Sequence, residues 1–113
     1  MIKFDLTEDL KKQFQEEGFL ILENFLDDQC IPQLTEKFSK LFSGDFETGI
    51  EPDEWNWKQG RDPENVTRQI CNAWKADNSI KDLVCHEVLG KACAELMNWS
   101  GSRLLQDNVL WKP

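Results

Sequence analysis

Arg103-Leu-Leu-Gln-Asp-Asn-Val-Leu-Trp-Lys-Pro113 is the stretch on which the predicted fold depends. Its Leu, Val and Trp residues are typical of a β-strand. A buried strand needs a neighbouring strand, because its backbone N–H and C=O groups must be paired. Most of the preceding sequence predicts helices, so the chain contains few segments that could pair with this strand. The stretch is therefore predicted to be either a lone edge strand or, as we favour, the first strand of a sheet that continues beyond Pro113.

The composition predicts a folded protein that is long enough, at 113 residues, to bury a hydrophobic core. Hydrophobic residues make up 40% of the chain and include seven Phe and five Trp. The net charge of −8 comes mainly from residues 1–65 and disfavours nucleic-acid binding, because an acidic surface repels phosphates. No apolar run approaches the ~18 residues of a membrane span, and no targeting segment is evident. We therefore predict a cytoplasmic protein with no membrane or nucleic-acid partner.

Residues 1–43 predict a helix, a strand and a second helix. Thr7 is a good N-cap and Gly18 a good stop for a first helix over residues 7–17. The apolar run Phe19-Leu-Ile-Leu22 then predicts a short buried strand. A second helix should begin at residue 27 or 28 and end at Gly44. Its apolar residues are spaced by three and four, as in a helix that packs on a core: Ile31, Leu34, Phe38, Leu41 and Phe42.

Residues 44–66 predict a long loop, because glycines and prolines interrupt the pattern. Structureless loops longer than about 12–15 residues are uncommon in compact domains and often close over a binding site. Trp55 and Trp57 are therefore candidate substrate-contacting residues. Because indoles bury large areas, the same two side chains could equally anchor an ordinary surface loop. Both interpretations stay open on the sequence alone.

Residues 67–113 complete an α+β fold class. Residues 67–74 predict either a strand or an irregular segment. Apolar residues at three-and-four spacing then predict helical structure from residue 79 to residue 99, with a break near His86 that divides it into two helices. The chain is thus predicted to be one partial domain with parts 1–43, 44–66 and 67–99 and a strand over residues 102–113.

His86 is the sole histidine, which limits the chemistry available to the chain. On a helix, the neighbours Cys85 and His86 would point about 100° apart and could not easily share a metal ion. Cys85 and Cys93 would supply two ligands, whereas a structural zinc needs about four. All four cysteines, which include Cys30 and Cys71, are predicted to be reduced core thiols. A cysteine nucleophile with a histidine base has no support beyond composition. The residues alone thus predict neither a catalytic residue nor a metal ligand.

Four stretches of the sequence resemble a known family. They are Phe14-Gln-Glu-Glu-Gly-Phe-Leu-Ile-Leu-Glu-Asn-Phe-Leu26, Phe46-Glu-Thr-Gly-Ile-Glu-Pro-Asp-Glu54, Thr67-Arg-Gln-Ile-Cys-Asn-Ala-Trp-Lys-Ala-Asp77 and the stretch from Arg103 to Pro113. In this order and spacing they resemble the N-terminal portion of the phytanoyl-CoA dioxygenase family, whose members are Fe(II)- and 2-oxoglutarate-dependent oxygenases. The resemblance covers nearly the whole chain.

The resemblance implies a double-stranded β-helix (jelly-roll) oxygenase in which a His-x-Asp pair and a distant His hold iron. That ligand set leaves positions open for 2-oxoglutarate and O₂. In the family, His-x-Asp lies shortly after the strand that ends this sequence, but the chain has no His-x-Asp and a single His. The chain is therefore expected to be an inactive N-terminal fragment that binds neither group. The full-length parent would use Fe(II) and 2-oxoglutarate to hydroxylate a small-molecule substrate.

The resemblance also implies one pair of cofactor-binding residues. Lys112 corresponds to a lysine that lies near 2-oxoglutarate in parts of the family, where an ammonium can pair with a carboxylate. Gln106, six residues earlier on the predicted strand, would point to the same face. The alternative prediction is a small acidic helical interaction domain whose last strand pairs with a partner protein. A third is that a separate chain completes the site.

Overall fold

The computed structural model describes residues 2–113 as an α+β chain with four α-helices and one three-stranded antiparallel sheet. The helices are α1 (Glu8–Glu17), α2 (Cys30–Ser43), α3 (Asn78–Val84) and α4 (Glu87–Leu96). The strands are β1 (Glu54–Trp55), β2 (Arg68–Cys71) and β3 (Asn108–Trp111), and a 3-10 turn covers Ala73–Lys75. None of the helices in the described part of the chain is long and apolar enough to cross a membrane.

Helix α1 begins and ends where the sequence predicts. The Thr7 hydroxyl accepts a hydrogen bond from the Leu10 N–H at 3.3 Å and so caps the N-terminus. At the other end Gly18 has a φ of +81°, a backbone conformation that glycine adopts without strain, and its N–H donates to the Phe14 carbonyl. Both helix ends are thus fixed by local sequence signals.

The prediction of a buried strand at Phe19–Leu22 is wrong. These residues form no strand, and the side chains of Phe19 and Ile21 are 55% and 77% exposed. Extended pairing occurs a few residues later instead, where Ile2 and Leu26 form an isolated antiparallel bridge. An apolar run becomes a strand only beside a hydrogen-bonding neighbour. Because the N-terminal residues pair with the later segment, residues 19–22 are left without one.

Helix α2 supplies much of the hydrophobic core and ends at Gly44, as predicted. Its buried residues include Cys30, Leu34 and Leu41, whereas Ile31 is exposed, against the predicted apolar face. Ile31 follows Cys30 directly and therefore points about 100° away from the buried stripe. The core that forms on α2 contains Cys30, Leu34, Leu41, Phe42, Trp57, Ile70, Ala73, Ala76 and Ile80.

The predicted break near His86 is confirmed, since α3 ends at Val84 and α4 begins at Glu87. Asp77 caps α3, because its carboxylate accepts hydrogen bonds from the Ser79 and Ile80 N–H groups at 2.8 and 3.1 Å. His86 caps α4 through Nδ1, which accepts the Val88 N–H at 3.2 Å. Each helix therefore has its own N-terminal cap.

Replacing His86 by Ala is expected to lower the free energy of unfolding by about 1 kcal/mol, because the Val88 N–H then loses its acceptor. His86→Asn is the matched control, since asparagine is a good N-cap residue and should restore most of the loss. Urea unfolding followed by circular dichroism measures both variants. Equal destabilisation by the two substitutions would show that capping is not what His86 contributes.

The sheet has the order β1-β2-β3, so the prediction of a final strand without partners in the chain is wrong. β3 pairs with β2 over residues 108–111 instead of the predicted 102–113, and the residues before it are irregular. Residues 67–74, for which the sequence predicts either a strand or an irregular segment, contain the central strand β2. Successive residues of a strand face opposite sides, so Arg68, Ile70, Val109 and Trp111 share one face and Gln69, Cys71, Asn108 and Leu110 the other.

Two of the four free cysteines are core thiols and two are not. Cys30 and Cys71 are buried, but Cys85 and Cys93 are exposed, so the prediction is wrong for the latter pair. Helix α4 buries Ala92 and Ala94, and Cys93 lies between them on the outer side of the helix. Cys85 is the residue that ends α3.

Candidate functional site

The two faces of the sheet have different environments. On the first face, Ile70 is fully buried and Val109 packs against the core that contains residues of α2. On the second face, Gln69, Asn108 and Leu110 are exposed. The Gln69 side-chain amide donates to the Asn108 side-chain oxygen at 2.8 Å across the two strands. Cys71, on the same face, is buried, so this second face is polar and open to solvent at Gln69 and Asn108 and apolar at Cys71 and Leu110.

The outer edge of β3 adjoins an apolar groove. Within residues 2–113, β3 is hydrogen-bonded to β2 alone and leaves its other edge unpaired. A groove of about 390 Å³ runs beside this edge, with Phe38, Leu83, Val84 and Val109 among its walls. Unpaired edges with apolar surroundings readily accept another strand. The groove and the edge together form a candidate docking site, which we call the β3 edge site.

Asp107 fixes the chain at the start of β3. Its carboxylate accepts the Ala73 and Trp74 N–H groups, both at 3.1 Å, at the start of the 3-10 turn. Its backbone and Asn72 exchange two hydrogen bonds: the Asn72 N–H donates to the Asp107 carbonyl at 2.9 Å, and the Asp107 N–H to the Asn72 side-chain oxygen at 3.2 Å. This buried acid thus ties β3 to the end of β2, although the two lie more than thirty residues apart.

Lys112 and Gln106 both lie outside β3. Gln106 precedes the strand and Lys112 follows it, and both are exposed. The argument that the two residues share one strand face is therefore wrong, because Asp107 binds the 3-10 turn and the chain becomes a strand only at Asn108. Their role as cofactor-binding residues stays a prediction.

Trp55 and Trp57 anchor the 44–66 segment, and the prediction of a structureless loop there is wrong at Glu54 and Trp55, which form β1. The Trp57 indole is buried, donates from Nε1 to the Pro63 carbonyl at 2.9 Å and meets the Phe42 ring edge-on. The Trp55 indole donates to the Phe42 carbonyl at 3.3 Å and packs edge-on against Phe46. Of the two interpretations that the sequence left open, these contacts favour the one in which the indoles anchor the segment. A substrate-binding role for this pair stays a prediction.

The residues of this chain do not fit an Fe(II) site. Among residues 2–113, no three His, Cys, Asp or Glu side chains lie together in a way that could hold a metal ion. The single histidine uses Nδ1 to cap α4. Two histidines and a carboxylate with open positions are what a non-haem oxygenase iron requires. Iron ligands must therefore come from outside these residues if the resemblance holds.

Cys71 is a poor candidate for a nucleophile. Burial is the main cause that raises the pKa of its thiol, and the negative charges of Glu54, Asp53 and Asp107 add to the effect. Since the thiolate is the reactive form, a raised pKa keeps this side chain protonated and inert at neutral pH. In contrast, hydrogen bonds from Lys75 and Asn72, both at 2.6 Å, lower the pKa of the exposed Asp53.

Arg68 is the residue that sequence reasoning missed. Its guanidinium carbon lies 3.6 Å from the centre of the Trp57 ring and 4.2 Å from that of the Trp111 ring, between two indoles. A pocket of about 280 Å³ adjoins the stack. The three residues come from a loop and two strands, so no local sequence pattern could have revealed their meeting.

Comparison of the chain with protein-family models, with curated proteins and with solved structures finds no match in any of the three.

Proposed function

We propose that this chain is the N-terminal part of an Fe(II)- and 2-oxoglutarate-dependent oxygenase of the phytanoyl-CoA dioxygenase type, in which further strands join the sheet at β3 and supply the iron ligands. The unpaired edge of β3 is the observation that carries the proposal. The parent protein would hydroxylate a small organic substrate, and the bound iron would supply the oxidising chemistry.

The two-sided character of the sheet supports this assignment. A jelly roll has one layer of strands against another, and its inner face encloses a cavity. Here α2 and the core cover one face, whereas the other face is open and polar at Gln69 and Asn108, as the wall of a cofactor cavity would be. An added strand beside β3 would extend this wall and place apolar side chains in the groove next to Val84 and Val109.

The role of this chain in the parent would be structural and orienting. Asp107 fixes the start of β3, and Lys112 follows directly after the strand. An ammonium group there could pair with one carboxylate of 2-oxoglutarate. Trp55 and Trp57 would hold the 44–66 loop in place near the substrate entrance.

The coding sequence beyond Pro113 tests the proposal most directly. A His-x-Asp pair is expected within about 10–20 residues, given the ligand set of such iron sites. The longer protein should convert 2-oxoglutarate to succinate in the presence of Fe(II), whereas residues 1–113 alone should not. Succinate formation by residues 1–113, or a longer protein without His-x-Asp, would contradict the proposal.

In that longer protein, Lys112→Ala is expected to raise the KM for 2-oxoglutarate on the order of tenfold, because it removes a charge-assisted contact with the co-substrate. Lys81→Ala is the control, since Lys81 is an exposed lysine on α3 that does not line the groove of the β3 edge site. Steady-state kinetics at saturating Fe(II) measure both variants. An unchanged KM in Lys112→Ala would remove the proposed role of this residue.

A second candidate function is protein binding by strand addition, which the same β3 edge favours. The acidic charge of the chain would then select a partner whose strand carries basic residues. A stop codon directly after Pro113, together with a monodisperse folded monomer in solution, would favour this function over the oxygenase.

A further inference from the structure

We propose that the pocket around Arg68 binds the carboxylate group of a small molecule with a short aliphatic body. The pocket lies between α2 and the covered face of the sheet, and Arg68, Trp57 and Trp111 form one wall. The polar face of the sheet is on the opposite side, so this inference does not depend on the proposed oxygenase activity.

Arg68 is a largely buried cation with an incomplete set of partners. Its side chain is only 11% exposed. In the described part of the chain, its hydrogen bonds run from Nη2 alone, to the Glu64 carbonyl at 2.7 Å and to the Glu64 carboxylate at 3.1 Å. Nε is buried and has no hydrogen-bond partner. An unsatisfied buried donor is uncommon and costly in a folded protein, so it points to a missing acceptor.

Glu64 is a weak counter-ion for this buried charge. Its side chain is 73% exposed, and it contacts the guanidinium from the solvent side. Exposed ion pairs contribute little, whereas a desolvated cation requires a close and well-oriented anion. A carboxylate that enters the pocket could bind the guanidinium side-on through Nε and one Nη, the two-bond geometry in which arginine holds carboxylates best. The bound carboxylate would thus neutralise the positive charge of Arg68, which Glu64 neutralises only in part.

Because Nε is buried, part of the pocket wall must move before a ligand can reach it, and we assign this movement to Trp111. Of the two indoles stacked on the guanidinium, Trp57 is buried and hydrogen-bonded to Pro63, whereas Trp111 is 38% exposed and lies at the end of the edge strand. Rotation of the Trp111 side chain therefore disturbs fewer contacts. Binding should change the environment of this indole more than that of Trp57.

The rest of the pocket suits a short apolar chain. Its volume of about 280 Å³ lies just below the range of drug-sized sites and suits a ligand on the order of eight non-hydrogen atoms. Phe38 and Phe42 give it apolar walls, and Thr35, Ser39 and Gln59 place polar groups along it. A fatty monocarboxylate of about six carbons matches this combination of one buried cation and aromatic walls.

Titration with hexanoate tests the inference, with 1-hexanol as the uncharged ligand of the same chain length. In ¹⁵N-labelled protein, hexanoate is expected to shift the indole N–H signals of Trp111 and Trp57, and 1-hexanol should bind at least about tenfold more weakly, the loss of one charged hydrogen-bonded pair. Equal binding of the two ligands, or shifts confined to the other three indoles, would overturn the proposal.

Substitutions at Arg68 and Glu64 test separately what each charged residue contributes to hexanoate binding. Arg68→Met should weaken hexanoate binding about tenfold or more, because it keeps the apolar stem and removes the charge. Glu64→Gln should strengthen it about threefold, since the ligand no longer competes with a carboxylate for the guanidinium. Glu51→Gln, at another exposed carboxylate, should leave the affinity unchanged. Weaker or unchanged binding in Glu64→Gln counts against the proposal even if Arg68→Met fails to fold.

Discussion

Asp107→Ala is expected to lower the free energy of unfolding by about 2–4 kcal/mol. The carboxylate of this buried residue accepts the backbone N–H groups of Ala73 and Trp74, both at 3.1 Å. Removing it leaves both donors without an acceptor, and an orphaned buried donor costs about 1–3 kcal/mol. The effect should be large because these two bonds join the start of β3 to the 3-10 turn that follows β2.

Two further substitutions make the Asp107 prediction specific. Asp107→Asn keeps one acceptor but turns an amide N–H₂ group toward the other donor, so its loss should be smaller than that of Asp107→Ala. Asp82→Ala, at an exposed acid on α3, should change stability by less than about 0.5 kcal/mol. Urea unfolding followed by tryptophan fluorescence measures all three. Equal stability of Asp107→Ala and the native chain would contradict the role assigned to this carboxylate.

The parts of the fold that the sequence predicts correctly are those controlled by neighbouring residues. Thr7 and Gly18 act within one turn of α1, and the end of α2 at Gly44 depends on a single backbone conformation. The break at His86 is likewise local, because the histidine caps the helix that follows it. Such signals operate over three or four residues and are legible without the tertiary structure.

The parts that the sequence does not predict depend on distant residues. Phe19–Leu22 has the composition of a buried strand, but whether it becomes one depends on where the N-terminal segment pairs. The last strand begins late because Asp107 binds the 3-10 turn, more than thirty residues earlier. The Arg68 stack joins two strands and a loop. For the candidate site, sequence resemblance suggests a chemistry, but the positions of Gln106 and Lys112 relative to β3 needed the structure.

Gly44→Ala is expected to lower the free energy of unfolding by about 2–5 kcal/mol, from two separate causes. Gly44 has a φ of +85°, which strains any residue with a Cβ atom by roughly 1–2 kcal/mol. In addition, a Cβ at this position would lie 2.5 Å from Cη2 and 2.7 Å from Cζ2 of the Trp55 indole, well inside normal contact distance. Overpacking of this kind typically costs another 1–3 kcal/mol.

Gly18→Ala is the matched control that measures the backbone strain alone. Gly18 also ends a helix, with a φ of +81°, but a Cβ there would meet no atom within 4 Å. It should therefore cost only the backbone strain, and the excess in Gly44→Ala measures the contact with Trp55. Chemical denaturation with a common slope for the two variants gives this difference.

The size of that excess also tests whether the 44–66 loop is anchored or mobile. The Trp55 indole is held by its hydrogen bond to the Phe42 carbonyl and by the edge-on contact with Phe46, so it cannot move aside without losing both. In the Trp55→Phe background, which lacks the outer indole carbons, the cost of Gly44→Ala should fall to that of Gly18→Ala. A loop that moves freely over a substrate would instead let the indole swing away, and Gly44→Ala would then cost no more than the control. A large excess that Trp55→Phe removes would mean that any substrate contact by Trp55 comes from a fixed wall.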